Sequence, residues 1–187
     1  KSGNTWVRTF LSNYLYEEKD NPFDNLDKIS SYPRGRHFNF LNENDFKELK
    51  DRSNNFKHYT LSQEKINVSG ETTLLKTHSY CGAINGNYFS NEKNTAGFIY
   101  FVRDPRSVAI SLSHHMSRNL DEIVNIMMNK NTFMKVNDDF SEFVSSWRIN
   151  YLSWRNIKYP KLTIRYEDLK KDPFQNFKNI LKFIGTH

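Results

Sequence analysis

Gly97-Phe98-Ile99-Tyr100-Phe101-Val102-Arg103-Asp104-Pro105-Arg106 is the most informative segment of this chain. Residues 97–102 carry no charge and are almost continuously apolar, which is typical of a strand buried on both faces of a parallel sheet. Asp104 suits a helix cap and Pro105 the first turn, so a helix is predicted over 107–117. A buried strand that leads directly into a helix indicates an α/β fold.

The same two patterns alternate along the rest of the chain. A second short strand is predicted at 161–166, and Asp172-Pro173 opens a last helix that stops at Gly185. Further helices are predicted over 4–17, 43–53, 121–129 and 138–157, a strand over 72–77 and a long loop over 20–40, whereas 54–71 stays ambiguous. This order predicts an α/β fold with a mainly parallel central sheet flanked by helices. We find no internal repeat and no interdomain linker, so 1–187 is predicted to form a single domain.

Composition excludes several classes of protein. The 187 residues include 7 Gly, 5 Pro and a single Cys, which excludes collagen-like chains, an intramolecular disulfide framework and a multi-cysteine zinc site. No apolar run approaches the roughly 20 residues that span a bilayer. The net charge of +6 favours anionic partners. Basic residues are interspersed with acidic ones, however, so no nucleic-acid partner is predicted.

Ligands of open α/β sheets bind beyond the carboxyl ends of the strands and at helix N-termini. The first candidate is the loop Lys1-Ser2-Gly3-Asn4-Thr5-Trp6, which leads directly into the first predicted helix. Its small residues, hydroxyl groups and lysine suit a phosphate group, although the Walker pattern is absent. The alternative is an ordinary N-capped helix.

The second candidate pairs Arg103, at the end of the buried strand, with Ser111 eight residues later. A guanidinium and a hydroxyl together suit a second phosphate group. The alternative gives Arg103 a capping or ion-pair role and leaves Ser111 merely tolerated within its helix.

Two further candidates follow other predicted strands. In Lys76-Thr77-His78 the imidazole could act as a general base, and the lysine could stabilise a negative charge that develops during the reaction. The tyrosine of Tyr166-Glu167-Asp168-Leu169 could contact a purine. The alternatives are a structural histidine and a core tyrosine. His114-His115 is rejected as a metal site because adjacent helical residues diverge and no further ligand completes the set.

The order of these motifs resembles that of the sulfotransferase domain family. Four motifs follow one another from Lys1 almost to the final helix. They are Lys-Ser-Gly-x-Thr-Trp, then Lys-Thr-His, then a strand that ends in Arg-Asp-Pro-Arg with a serine eight residues after the first arginine, and finally Tyr-Glu-Asp-Leu. Ser146-Trp147 with Trp154 resembles the tryptophan-bearing helix of that family. The resemblance implies a P-loop-like nucleotide-binding architecture and 3′-phosphoadenosine-5′-phosphosulfate (PAPS) as sulfuryl donor, with 3′,5′-ADP (PAP) as product and no metal.

The resemblance also implies a role for each candidate. Lys1 to Trp6 would hold the 5′-phosphosulfate, with Lys1 at the departing phosphate and Trp6 against the adenine. Arg103 and Ser111 would hold the 3′-phosphate, and Tyr166 would contact the adenine. His78 would take the proton of the acceptor hydroxyl or amine, with Lys76 near the transferred group.

The sequence departs from the family pattern in the acceptor region and at both ends of the family's domain. Asn4 replaces a frequent Thr, and Ser79-Tyr80 replaces an apolar residue and Pro, which predicts a different acceptor pocket. The family's first strand and its C-terminal closing motif are absent, so we expect a longer protein. The expected acceptor is a small molecule or a glycan, and the expected location is cytoplasmic. Two alternatives stay open: a P-loop-like nucleotide binder or kinase, and an inactive family member that acts as a binding module.

Overall fold

The computed structural model describes residues 2–16, 19–54, 56–67, 70–136 and 140–186. Its helices are α1 (Asn4–Leu15), α2 (Glu43–Lys50), α3 (Tyr59–Ile66), α4 (Pro105–Met116), α5 (Leu120–Met128), α6 (Trp147–Asn156), α7 (Tyr166–Lys171) and α8 (Pro173–Ile184). Its strands are β1 (Ala83–Ile84), β2 (Asn87–Tyr88), β3 (Phe98–Val102), β4 (Phe133–Lys135), β5 (Ser141–Phe143) and β6 (Lys161–Arg165). Short 3₁₀ helices cover Leu26–Lys28, Gly35–Phe38 and Arg52–Asn54.

The chain divides into two compact units. The first, called unit 1, comprises Lys1–Lys28, Gly97–Asn125 and Tyr159–His187. The second, unit 2, comprises Ile29–Ala96 and Ile126–Lys158. Each unit is described by itself below.

A parallel strand pair forms the centre of unit 1. Strands β3 and β6 pair in parallel, from Phe98 opposite Lys161 to Val102 opposite Arg165. Their carboxyl ends therefore meet at one edge, which the predictions of strands at 97–102 and 161–166 could not show. The apolar faces of the helices complete the core, which buries Val7, Leu11, Val108, Ala109, Ile164, Leu169, Ile180 and Leu181.

Local sequence signals account for the helices of unit 1. The Asp104 carboxylate accepts hydrogen bonds from the backbone N–H groups of Arg106 and Ser107, and Pro105 occupies the first turn of α4 as predicted. Asp172 caps α8 in the same way, and Gly185 ends it with a φ of 77°. The predicted helix over 4–17 is confirmed as α1, which ends at Leu15.

Aromatic side chains form the core of unit 2. Rings of Tyr32, Phe38, Phe56, Tyr59 and Phe89 are buried and contact one another edge to face or at a tilt. The abundance of Phe and Tyr thus supplies a core where Val and Ala are few. The ambiguous stretch 54–71 contains α3, and β1 and β2 form a small antiparallel hairpin that the sequence analysis missed.

The strand predicted over 72–77 is wrong. Only Lys76 forms a β-bridge, with Ser31. The N–H of Lys76 donates to the carbonyl of Ser30, and its carbonyl accepts from Tyr32. The next residues bond to a carboxylate rather than to a strand, as described below, so no ladder continues.

The helix predicted over 138–157 is wrong in its first half. Residues 137–139 lie outside the described residues, and Ser141–Phe143 form β5, which pairs antiparallel with β4. Ser145 then has a φ of 63°, a left-handed conformation that interrupts any helix. Helix α6 begins after its cap Ser146 and carries the predicted Trp147 and Trp154.

The coarse fold prediction is confirmed. Helices and strands are mixed along the chain, and the two strands predicted most directly from sequence pair in parallel, consistent with an α/β fold. The parallel sheet in the described residues has two strands, and the other two sheets are antiparallel.

Candidate functional site

Arg103 and Tyr166 lie together at the carboxyl edge of the parallel pair in unit 1. Each immediately follows the last residue of its strand, and those last residues are in register. The guanidinium carbon of Arg103 lies 4.3 Å from the centre of the Tyr166 ring, a cation–π contact. The sheet register thus brings together two candidates that are 63 residues apart in sequence.

Gly3 joins the same cluster from the start of α1. Its φ of +86° is left-handed, and a Cβ added there would lie 3.0 Å from Cδ2 of Tyr166 and 3.3 Å from Cδ2 of Leu169. Both the backbone conformation and the close approach therefore require glycine at this position. We call Gly3, Arg103 and Tyr166 the strand-end cluster.

The first turn of α1 suits an anion better than that of α4 does. No side chain caps α1 at Gly3, and its first turn contains no acidic residue. In α4 the Asp104 carboxylate already occupies the N-terminus, and its hydrogen bond to Arg106 lowers its pKa to about 2. The helix dipole and the N–H groups at the start of α1 therefore favour a negative group near the strand-end cluster.

The other residues predicted to bind phosphate groups or a purine also belong to unit 1. Trp6 is 40% exposed and contacts the Phe177 ring edge to face at 5.7 Å. Ser111 is half-buried in the second turn of α4, on the face that carries Ser107. Lys1 lies outside the described residues. Of the other loop residues, Ser2 and Asn4 are half-buried and Thr5 is exposed.

Two residues of the Tyr-Glu-Asp-Leu motif have structural roles that the sequence analysis missed. An oxygen of the Glu167 carboxylate accepts a hydrogen bond from the backbone N–H of Asp104 at 3.3 Å, which links the two strand ends. Leu169 is fully buried and packs under Gly3. The motif therefore holds the loop after β3 and the start of α1 beside Tyr166.

In unit 2, hydrogen bonds fix the backbone of Lys76–Cys81, which we call the His78 segment. The carbonyl of His78 accepts from Asn150, at 3.2 Å. The carbonyl of Ser79 accepts from the indole N–H of Trp154, at 3.0 Å. The N–H groups of Tyr80 and Cys81 donate to the Phe143 carbonyl and the Ser153 hydroxyl. The side chain of His78 is nevertheless exposed, so a fixed backbone presents an accessible imidazole.

A buried carboxylate, Glu142, faces the His78 segment and was missed. One of its oxygens accepts hydrogen bonds from the hydroxyls of Thr77 and Ser79, at 2.7 and 3.0 Å, and from the N–H of His78. Glu142 is 4% exposed, and burial raises its pKa despite these donors and the nearby charge of Lys76. A glutamate two residues after Phe140 and directly before Phe143-Val144 was the available signal.

Unit 2 also contains an open cleft of about 320 Å³. Its lining residues are Arg52, Ile84, Asn131, Phe133 and Phe143. The guanidinium of Arg52 lies 5.0 Å from the centre of the Phe133 ring. Aromatic walls with one cation and one amide suit a flat molecule that carries a hydrogen-bond acceptor.

Membrane-spanning helices and clusters of metal ligands are both absent from the described ranges. Each helix in these ranges is too short or too polar to span a bilayer. Within the same part of the chain, no three His, Cys, Asp or Glu residues come together as a metal site would require.

The fold and the strand-end cluster define an α/β protein with an edge suited to an anionic ligand. Residues 1–187 match the family model described as "Sulfotransferase domain", and the chain belongs to this family. It is also 30% identical, over 94 residues, to a flavonol 3-sulfotransferase from Flaveria bidentis. That match covers 46% of this chain and 29% of the length of the relative.

Proposed function

We propose that this protein transfers a sulfuryl group from PAPS to a hydroxyl or amine of an acceptor, a small molecule or a glycan. The whole chain would act as one sulfotransferase domain with a P-loop-like nucleotide-binding architecture. Family membership supports sulfuryl transfer as the reaction class, and the motif order supports PAPS as donor.

The strand-end cluster is the observation that carries this proposal. A donor with a 3′-phosphate, a 5′-phosphosulfate and an adenine needs two anion sites and one aromatic surface. Arg103 offers a guanidinium, the start of α1 at Gly3 offers backbone N–H groups, and Tyr166 offers a ring beside both. The three elements meet in unit 1 although they come from distant parts of the sequence.

The donor-side roles follow the family pattern. Ser2 to Thr5 bind the phosphosulfate, with Lys1 at the departing 5′-phosphate. Arg103 and Ser111 bind the 3′-phosphate. Trp6 and Tyr166 contact the adenine. Small residues, a helix start and basic side chains are the usual binders of phosphate groups, which supports these assignments.

Transfer itself requires a nucleophile, a leaving group and a base. The acceptor oxygen or nitrogen attacks sulfur, the bond from sulfur to the 5′-phosphate oxygen breaks, and the acceptor proton passes to His78. The products are the sulfated acceptor and 3′,5′-ADP. By analogy with phosphoryl transfer, alignment and positive charge provide most of the catalysis, and Lys76 contributes charge beside the transferred group.

Calorimetry with 3′,5′-ADP and 5′-AMP tests the donor assignment. We expect 3′,5′-ADP to bind at least tenfold more tightly, because only it carries the 3′-phosphate. Equal affinities would favour a general nucleotide binder or kinase, and absence of binding to either would refute the proposal. Transfer of labelled sulfate from PAPS, screened over phenol, alcohol, amine and glycan acceptors, then distinguishes an enzyme from an inactive binding module.

A further inference from the structure

Glu142 is an unusual residue for the core of unit 2. A carboxylate is costly to bury unless hydrogen bonds replace its water. The hydroxyls of Thr77 and Ser79 and the backbone N–H of His78 supply such hydrogen bonds to Glu142. The buried acid is therefore directed at three consecutive residues centred on the proposed base.

The geometry around Glu142 constrains the backbone on both sides of His78. The N–H of Ser79 donates to the hydroxyl oxygen of Thr77 at 3.0 Å, and both hydroxyls donate to Glu142. With the carbonyl of His78 bonded to Asn150, both polar backbone groups of His78 have partners. Rotation of this peptide segment would break several hydrogen bonds at once.

We propose that Glu142 is a positioning residue, which holds the backbone of Thr77–Ser79 so that the exposed His78 imidazole is kept in one direction. The inference rests on the proposed function, because it assumes that His78 is the base. Glu142 does not contact the acceptor in this assignment and acts through the peptide of His78. Misplacement of a catalytic group by about 1 Å can cost on the order of 100-fold in rate.

A double-mutant cycle with His78 tests the proposal in the intact protein. We expect Glu142→Ala to lower kcat about 10- to 100-fold with little change in the KM for PAPS. In a His78→Ala background the same change should cause no further loss, since no imidazole is left to position. Glu142→Gln keeps an oxygen acceptor for the three donors and should restore kcat to within about threefold of wild type. Glu64→Ala, an exposed acid on α3, is the matched control and should behave as wild type.

The outcomes separate this inference from the function on which it rests. Wild-type turnover in His78→Ala refutes the assigned base. If His78→Ala is slow but Glu142→Ala causes an equal loss in both backgrounds, the positioning role is wrong. A Gln variant as slow as the Ala variant also overturns it, because geometry would then not be the cause.

Single hydrogen-bond deletions keep the proposal testable if Glu142→Ala does not fold. Thr77→Val and Ser79→Ala each remove one donor to Glu142 at nearly constant volume. We expect each to lower kcat about two- to fivefold, and only when His78 is present. Wild-type kcat in both variants would overturn the positioning role.

Discussion

Replacement of Gly3 by alanine tests how closely α1 approaches the strand ends. An L-residue in the left-handed conformation costs about 1–2 kcal/mol. The added Cβ would also lie 3.0 Å from Tyr166 and 3.3 Å from Leu169, both closer than an ordinary contact. Overpacking of this kind adds at least about 1 kcal/mol. The free energy of unfolding should therefore fall by about 2–3 kcal/mol.

Gly185→Ala is the matched control within unit 1. Gly185 has a φ of +77°, close to that of Gly3, but an added Cβ would meet nothing within 4 Å. For a chain of this size each kcal/mol lowers Tm by about 2–4 °C. We expect a decrease of about 4–12 °C for Gly3→Ala and of about 2–8 °C for Gly185→Ala by differential scanning calorimetry.

Ligand affinity separates the two variants more sharply than stability does. A shift of the Gly3 loop away from Tyr166 moves the first N–H groups of α1, so 3′,5′-ADP should bind about tenfold more weakly, equivalent to about 1.4 kcal/mol. Gly185→Ala should bind with wild-type affinity. If the two variants had equal Tm values and equal affinities, the inferred contact and the role of the loop would both be refuted.

Three other variants test separate parts of the site. Arg103→Ala should weaken 3′,5′-ADP binding about 10- to 100-fold and 5′-AMP binding much less, because charged hydrogen bonds to the 3′-phosphate are lost. Calorimetry measures both affinities, and equal losses for the two nucleotides would contradict this. His78→Ala should lower kcat about 10²- to 10⁴-fold with the affinity for 3′,5′-ADP unchanged, as single-turnover sulfate transfer and calorimetry can measure. Burial raises the pKa of Glu142, so the folded protein holds this proton more tightly than the unfolded chain does. The free energy of unfolding of wild type should therefore fall relative to that of Glu142→Gln as pH rises from about 4.5 through the raised pKa. Urea denaturation at several pH values checks this, and a pH-independent difference would rule it out.

Helices with local start and stop signals were predictable. Helix α4 depends on Asp104 and Pro105, and α8 on Asp172-Pro173 and Gly185, all of which lie within or beside the helix concerned. Their caps involve residues only a few positions apart, so one stretch of sequence contains the whole interaction.

Elements that depend on distant partners were not predictable in the same way. Residues 72–77 have the composition of a strand, but Lys76 bonds to Ser30 and Tyr32, and Thr77 bonds to the Glu142 side chain. Ser141–Phe143, within the predicted helix at 138–157, instead form β5, because pairing with β4 is available there. Periodicity alone does not reveal such partners.

The order of the motifs, the strand that ends at Arg103 and the family resemblance could all be read from the sequence without a structure. The sequence also supplied the candidates His78, Tyr166 and Gly3, because residue type and local spacing encode these features. The folded chain was needed to show that Arg103 contacts the Tyr166 ring, that a side chain at Gly3 would crowd the same ring, and that Glu142 faces the proposed base. Strand register and the pairing of a buried carboxylate involve residues more than 60 positions apart, and a single sequence contains no local signal for such a distance.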